Sequence, residues 1–270
     1  MIVISQDVVL GATVQADLNS PVFGWHSIVT ESNTTASTSE ETHPSANLTN
    51  PNTWQVWRGT GTGLHSVATE SDGLQVLDYL AIARHNMSST GRTVTVHTAT
   101  NVPPTNWTIQ ASFIPATDEP ILVRFLPGTY TGVRVFMSVG TGAPEIGVLY
   151  IGRLLVSERR IYVGHSPITL NRRTDIVSGR SESGNFLGRI VLQERNETSV
   201  ELRNLSPAWY RAEFDPFVRA AVDRPFFFAW RPLSYPYEVG YAWLTDDPSP
   251  SNQLPNGFMQ VGLNMTGIVK

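Results

Sequence analysis

Residues 78–96 read DYLAIARHNMSSTGRTVTV, and this stretch decides the fold class of the chain. It begins with an apolar run, passes through a short polar link, and ends in a strict alternation of Thr and Val. An apolar run of strand length is typical of a buried strand, and alternation with period 2 is typical of a strand with one buried face. The stretch therefore predicts two β-strands joined by a tight turn.

The same two patterns recur through the first half of the chain. Gly, Pro, Asn and Thr clusters at residues 101–106 and 140–144 separate the runs and predict turns. Evenly spaced short strands of this kind are typical of an all-β sandwich or barrel. The predicted strands are Ile2–Val9, Gln75–Ala83, Thr93–His97, Trp107–Phe113, Ile121–Leu126, Val133–Val139 and Ile146–Val156.

One segment of the first half has almost no apolar side chain. Residues 30–41 read TESNTTASTSEE and have the composition of a linker. We interpret them instead as an extended edge or loop, because the large apolar groups Trp25 and Trp54 flank the segment and need a core to enter.

The second half contains one region with the period of a helix. Ser206 and Pro207 are an N-cap residue followed by proline at the first helical position. Apolar side chains then recur at spacings of three to five, which predicts a helix over residues 206–223 despite the strain expected at Pro216. The side chains of its apolar face are Trp209, Phe214, Phe217, Val218 and Ala221.

Three further segments complete the expected second half. Residues 160–205 are interpreted as short strands joined by a long polar, Arg-rich loop at 171–184. Residues 226–230 read FFFAW, an apolar run typical of a strand buried on both faces. Residues 258–269 alternate apolar and polar side chains, which predicts a closing strand. The fold class predicted is all-β, with two β-sandwich or jelly-roll domains, the second carrying one substantial helix.

Composition narrows the function. The net charge is −4, only 16% of residues are charged, and there is no cysteine. No positive field is available for nucleic acid, and disulfides, thiolate metal sites and a Cys nucleophile are excluded. The sequence has no apolar run of about 20 residues, so we expect no membrane insertion. We expect a soluble chain synthesised in the cytoplasm.

The residue patterns of common catalytic sites are missing as well. The six histidines show neither HxH nor HxxxH spacing. The acid pairs Glu40–Glu41 and Asp246–Asp247 are sequence neighbours, which cannot by themselves face each other across a glycosidic bond. His85 and Asn86 end an apolar strand, and we interpret them as the start of a turn that Gly91 completes. We expect no catalytic residue, no metal and no cofactor. A glycan-degrading enzyme is a third class, supported only by the β-rich composition.

A resemblance to known families follows from the order of several segments. HPSANLTNPNTWQVWRG (residues 43–59), QVLDYLAIARHNMSSTGRTVTV (75–96) and the strands from WTIQASF (107–113) to PEIGVLYIG (144–152) resemble a discoidin-type, galactose-binding-like jelly roll. The AIARHN segment with its following TVTV is similar to domains in tail proteins of long-tailed bacteriophages. GNFLGR, a helix, RPFFFAW and VGLNMTGI together resemble the β-sandwich core of distal-tail or minor-tail proteins.

The resemblance implies a domain division and a function. It implies an N-terminal strand or arm at residues 1–15, a discoidin-like jelly roll at 16–156 and a tail-type β domain at 157–270. The implied function is a non-enzymatic structural subunit of a bacteriophage tail or baseplate, located in the virion and synthesised in the host cytoplasm. Its expected partners are other tail or baseplate proteins and copies of itself in a ring or trimer. The alternative is a carbohydrate-binding module that attaches to a host surface glycan.

Besides the Arg-rich segment at residues 171–184, two aromatic segments are candidate contact surfaces for either function. Aromatic rings stack on sugars, and Tyr- and Trp-rich segments with little charge are typical of protein interfaces. The loop at residues 50–58 and the segment 232–247 have this composition, although Trp in such a loop also commonly plugs the end of a sandwich. The candidate glycan or partner contacts are Trp54, Trp57, Arg58, Tyr235, Tyr237, Tyr241 and Trp243.

Overall fold

The computed structural model describes residues 2–4, 18–253, 255 and 257–269. Sixteen strands of this part form two eight-stranded sheets, so the predicted all-β class is confirmed. The first sheet contains β1 (Ile2–Ile4), β3 (Thr34–Ala36), β4 (Trp57–Arg58), β5 (His65–His85), β6 (Val94–Ala99), β7 (Thr108–Phe113), β8 (Ile121–Met137) and β9 (Glu145–Gly152). The second contains β2 (Val22–Gly24), β10 (Leu155–Val156), β11 (Arg172–Arg180), β12 (Phe186–Leu205), β13 (Phe226–Ala229), β14 (Val239–Leu244), β15 (Ser251–Asn252) and β16 (Met259–Ile268).

The first sheet is built around two long, bent strands. Its order is β4-β9-β5-β8-β6-β7, with β3 added to β5 and β1 added in parallel to β8. The strands β5 and β8 pair antiparallel over most of their lengths, and the register shifts twice. Alternate side chains of one face, among them Leu80, Ile82 and Val123, form the jelly-roll core. The polar segment at residues 30–41 lies at the edge of this sheet as β3 and a loop, as expected.

The strands of the second sheet come from chain segments before and after the main strands of the first sheet. Its order is β10-β2-β13-β14-β16-β12-β11, with β15 on β16. Because β2 pairs with both β10 and β13, residues 22–24 and 155–156 belong to the second sheet and not to the jelly roll. The sheet boundaries therefore differ from the predicted division at residues 16 and 156. The predicted arm at residues 1–15 falls outside the described residues except for Ile2–Ile4.

The predicted helix is present and covers the second sheet. It consists of Pro207–Trp209, a π turn at Tyr210–Phe214, and Asp215–Ala221. Ser206 caps it by accepting a hydrogen bond from the Trp209 N–H at 3.4 Å. The π turn lies directly before Pro216, whose missing N–H and ring prevent a regular α-helical ladder there. Phe214, Phe217 and Ala221 enter the core of the second sheet, as the spacing predicts.

An apolar interface joins the two sheets. Tyr79, Ala81 and Ala83 project from the face of β5 opposite to the jelly-roll core and pack against Phe227 and Tyr241 of the second sheet. The strand β13 is buried on both faces, as FFFAW predicts, because its other side chains enter the core under the helix. The jelly roll and the second sheet therefore have separate cores, and a third buried cluster joins them. Within the described residues no helix is long and apolar enough to cross a bilayer.

Candidate functional site

The second sheet ends in a two-stranded ribbon, residues 172–195, that extends beyond its other strands. The strand β12 pairs with β16 only from Asn196 to Leu205, opposite Gly267 to Met259. Its first ten residues, 186–195, pair with β11 alone. The Arg-rich segment at residues 171–184, predicted to be a loop, is thus mostly the strand β11; that prediction was wrong. Successive side chains of Arg172–Arg180 point to two exposed faces, so the segment lacks the apolar period by which a strand is recognised.

Ion pairs compensate the charges at the base of the ribbon. The Arg195 guanidinium lies 3.1 Å from the Asp175 carboxylate and 2.8 Å from that of Glu197, and Arg173 lies 3.3 Å from Glu197. The hydrogen bond from Arg195 lowers the pKa of the Glu197 carboxyl. These charged groups pair with one another within the ribbon, and the ion pairs help to fix the register of the two strands.

The tip of the ribbon is apolar and exposed on both faces. Val177 lies opposite Ile190, and Ile176 lies opposite Val191. Since neighbours along a strand point to opposite faces, these two pairs lie on different faces of the ribbon. A two-stranded ribbon with no covering layer is marginal in water, and exposed apolar clusters mark contact sites. The large apolar side chains exposed by 53–68% at this tip are Val177, Phe186, Leu187, Ile190, Val191 and Leu192.

A second exposed group is the indole of Trp54 in the loop that follows a 3₁₀ turn at Ser45–Thr49. Its exposed fraction is 77%. The loop is held by side-chain hydrogen bonds: the Asn50 amide donates to the Gln55 side-chain oxygen at 2.6 Å, and the Asn47 amide donates to the Val56 carbonyl at 2.9 Å. The indole is therefore presented on a fixed loop, and little conformational entropy is lost when a ligand stacks on it.

The neighbours of Trp54 have different positions. Trp57 is fully buried, and its indole N–H donates to the Thr38 carbonyl and the Ser39 hydroxyl, both at 3.0 Å. It plugs the sandwich and cannot touch a ligand, so we remove it from the candidate contacts. Arg58 donates to Glu145 at 2.8 Å and to Glu40 at 3.4 Å, and these hydrogen bonds raise the pKa of its guanidinium.

The aromatic segment 232–247 is divided in the same way. Tyr237 is 60% exposed, Tyr235 stacks on Trp230 with ring centroids 5.3 Å apart, and Trp243 is partly exposed. Tyr241 is buried in the interface between the sheets, where it cannot meet a partner, so it too leaves the candidate set. Its hydroxyl donates to the Pro51 carbonyl at 2.7 Å, which attaches the Trp54 loop to the second sheet.

His85 and Asn86, at the end of β5, serve the scaffold. The buried His85 has its Nε2 2.8 Å from the Glu119 carbonyl, and its Nδ1 accepts from the Met87 N–H at 3.2 Å. Burial lowers the pKa of His85 to about 4. The Asn86 amide joins the same turn to Ala143 and Glu145 at 2.8 Å each. These bonds tie three loops together and leave the imidazole inaccessible.

Among the described residues, no group of three His, Asp or Glu side chains is arranged to hold a metal ion. The segment at residues 171–184 was expected to be a contact surface, but the sequence did not indicate that the exposed apolar side chains at 186–192 belong to it. The run FLGRIVLQ at residues 186–193 and the pair Ile176–Val177 are both apolar. Two apolar segments on either side of a polar turn were the available sequence signal for a hairpin.

Comparisons with known proteins found structural similarity only. No family model matches the chain, and no curated protein matches it. A chitosan-binding module from the chitosanase/glucanase of Paenibacillus sp. IK-5 has 14% identity and a TM-score of 0.42, over 47% of this chain and 98% of the module. The family 32 carbohydrate-binding module of Clostridium perfringens NanJ, solved with galactose, has 16% identity and a TM-score of 0.38, over 44% of this chain and 90% of the module. The bacteriophage-tail assignment stays a prediction.

Proposed function

We propose that the protein is a non-enzymatic structural subunit of a larger assembly, of the kind found in bacteriophage tails and baseplates, and that the ribbon tip docks on a neighbouring copy. The apolar surface on both faces of the tip is the observation that supports this function. Its side chains lie beyond the second sheet, where no other strand of the described chain pairs with residues 186–195 except β11.

Burial of apolar side chains favours contact between the ribbon tip and a neighbouring subunit. Burying one large apolar side chain contributes about 1.5–3 kcal/mol. Six such side chains lie at the tip and each is still 53–68% exposed, so a neighbouring subunit that covered both faces would gain roughly half to two thirds of this amount per side chain toward the cost of association. The ion pairs at the base leave the polar part of the ribbon satisfied in the free subunit, which restricts the docking surface to the tip.

Self-association tests the assembly function. We expect the wild type to form a discrete oligomer in sedimentation analysis. The double variant Ile190→Asp, Val191→Asp places one charge on each face of the tip and should be monomeric. The matched control Thr62→Asp, Ser249→Asp adds the same charge at exposed polar positions outside the ribbon and should still associate.

Two results together would exclude the proposal. The first is a wild type that stays monomeric at high protein concentration. The second is the absence of the protein from purified virions by mass spectrometry.

The exposed Trp54 supports a second candidate function, attachment to a glycan. An indole on a fixed loop provides the flat apolar surface on which the apolar face of a sugar ring stacks. Wild-type protein on a glycan array should bind at least one surface glycan, Trp54→Ala should lose that binding, and Val163→Ala, a change at another exposed apolar side chain, should keep it. Retained binding in Trp54→Ala would refute this candidate.

A further inference from the structure

A cavity of about 430 Å³ lies where the jelly roll, the second sheet and the helix meet. Its volume is within the range of about 300–1,000 Å³ that is usual for small-molecule sites, and such sites are common at junctions between structural units. Trp25 and His26, which follow β2, form one side, Gln75 and Val76 of β5 a second, and Glu213 of the helix a third. We call it the junction cavity.

The apolar part of the cavity wall is formed by a tryptophan and two aliphatic side chains. The Trp25 ring lies with its centroid 6.3 Å from that of Phe217 and packs partly against the core of the second sheet. Leu74 and Val76 are 58% and 56% exposed, although they belong to a central strand of the first sheet. A half-buried indole and two exposed aliphatic side chains in one wall provide apolar surface for a ring-sized ligand.

The polar part of the wall contains one positive and one negative charge. The Arg153 guanidinium lies 3.3 Å from the Glu213 carboxylate. Arg153 follows the jelly roll in the chain and Glu213 belongs to the helix, so the pair spans the two units. Planar groups of this kind donate to and accept from adjacent hydroxyl groups in fixed directions. Because the two charges cancel, the pair selects neutral polar ligands over anions or cations.

The backbone around His26 is fixed by its neighbours. The Tyr79 hydroxyl donates to the His26 carbonyl. A Cβ at Gly152 would lie 2.2 Å from the same carbonyl oxygen, so only glycine allows this close approach. Burial and Arg153 lower the pKa of His26, which keeps the imidazole neutral at pH 7. The cavity wall thus has a fixed backbone at His26 beside the ion pair, and the imidazole adds an uncharged polar group.

The helix is irregular at this cavity. The π turn at Tyr210–Phe214 presents Ala212 and Glu213 to the cavity, and Pro216 lines it one turn later. Turns of this type are rare and are frequent at functional sites. The turn has its structural cause in Pro216, and its effect here is to place the Glu213 carboxylate on the cavity wall.

We propose that the junction cavity binds a neutral hexose unit of a glycan, with the ring against Trp25 and its hydroxyl groups on Arg153 and Glu213. The proposal does not rest on the ribbon or on Trp54. It assigns a second contact with carbohydrate to the junction between the two units.

The test uses the full chain and two probes, methyl β-D-galactopyranoside and methyl β-D-glucopyranoside. The measured signal is the indole N–H cross-peak of Trp25 in an ¹H–¹⁵N spectrum, assigned with the variant Trp25→Phe. We expect one of the glycosides to shift this peak saturably. The variant Arg153→Ala, Glu213→Ala should weaken the binding at least tenfold, because the hydroxyl partners are lost.

The control variant is Arg219→Ala. It breaks an exposed ion pair with Asp215 on the same helix, 2.8 Å long, which does not line the cavity. It should bind the probe as the wild type does. Both ion pairs lie at the surface, where such pairs contribute little to stability, so the variants should stay folded.

Three results would overturn the proposal: neither glycoside shifts the Trp25 peak, only the apolar probe 1-hexanol does so, or the shift persists in Arg153→Ala, Glu213→Ala. Glycoside binding that is lost in Trp54→Ala but not in the Arg153/Glu213 variant would place the sugar at the Trp54 loop. That result would refute the junction cavity as a sugar site while supporting the glycan function of Trp54.

Discussion

Two tryptophans three residues apart show how strongly position decides the role of a residue. Trp57 is fully buried and Trp54 is 77% exposed. Trp57→Ala should therefore lower the free energy of unfolding by about 3–5 kcal/mol, as expected for a large buried aromatic residue. Trp54→Ala should change it by less than about 0.5 kcal/mol. Urea denaturation of both variants measures the difference, and equal losses would contradict the assignment of Trp57 to the core.

At the same scale, His85 makes stability depend on pH. Its pKa is about 4 in the folded protein and 6.5 in the unfolded chain, so the unfolded chain binds the proton first as the pH falls. The stability that His85 contributes is thus full above pH 6.5 and is lost toward pH 4, by up to about 1.4 kcal/mol per pH unit.

Comparison with a variant isolates this effect. Burial raises the pKa of the Asp78 carboxyl to about 6, which gives the wild type an opposing pH dependence. The difference in unfolding free energy between wild type and His85→Gln should therefore shrink as the pH is lowered from 7 to 4.5 in urea titrations. A difference that stays constant over this range would show that His85 is not held neutral.

At the scale of elements, a helix or strand can be predicted when a single buried face gives its sequence a regular apolar period. The helix at Pro207–Ala221 was predictable because one face meets the core and Ser206 marks its start. The strand β8 was predicted as two strands, since Pro127 and Gly128 suggest a turn. In the structure the strand continues, because Gly128, Thr129 and Tyr130 pair with Leu77, Val76 and Gln75 of β5. The Tyr130 hydroxyl also donates to the Leu126 carbonyl at 2.8 Å.

The strand β11 was mistaken for a loop for a related reason. Apolar and polar side chains alternate along a strand when one face is buried in the same molecule, and both faces of the ribbon are exposed. For the same reason, Trp54 could be chosen from its sequence but could not be separated from Trp57. Trp57 is hydrogen-bonded to Thr38 and Ser39, and the Trp54 loop is attached to the second sheet through Tyr241. These partners are distant in sequence, so the different burial of the two tryptophans could not be read from their immediate neighbours.

Removal of the ribbon tip is the prediction that belongs to this scale. Asp175 lies opposite Gln193, so replacing residues 176–192 by Asn-Gly would close the ribbon with a tight hairpin turn. The melting temperature should stay within a few degrees of the wild type, because the tip contacts no core side chain. Sedimentation should show loss of the oligomer. A large fall in melting temperature would mean that the tip supports the fold of the subunit itself.

At the scale of the whole molecule, the interface between the sheets should make unfolding a single event. Tyr150 is buried there: its hydroxyl donates to the Pro225 carbonyl at 3.0 Å, and its ring lies 5.5 Å from Phe227. Calorimetry of the wild type should show one transition. Tyr150→Ala should separate it into two, since each unit keeps its own core. The exposed Tyr237→Ala is the control, and two transitions in the wild type would disprove the coupling.

The pairing of β2 with β10 affects how the chain can change in evolution. Phe23 and Leu155 are opposite each other, so the chain leaves the second sheet and returns to it through neighbouring strands. Residues 25–152 are therefore an insertion whose two ends lie side by side, an arrangement in which insertions are well tolerated. A jelly roll with other loops could replace this one without rethreading the sheet that carries the ribbon. The jelly roll and the sheet that carries the ribbon are thus free to diversify independently.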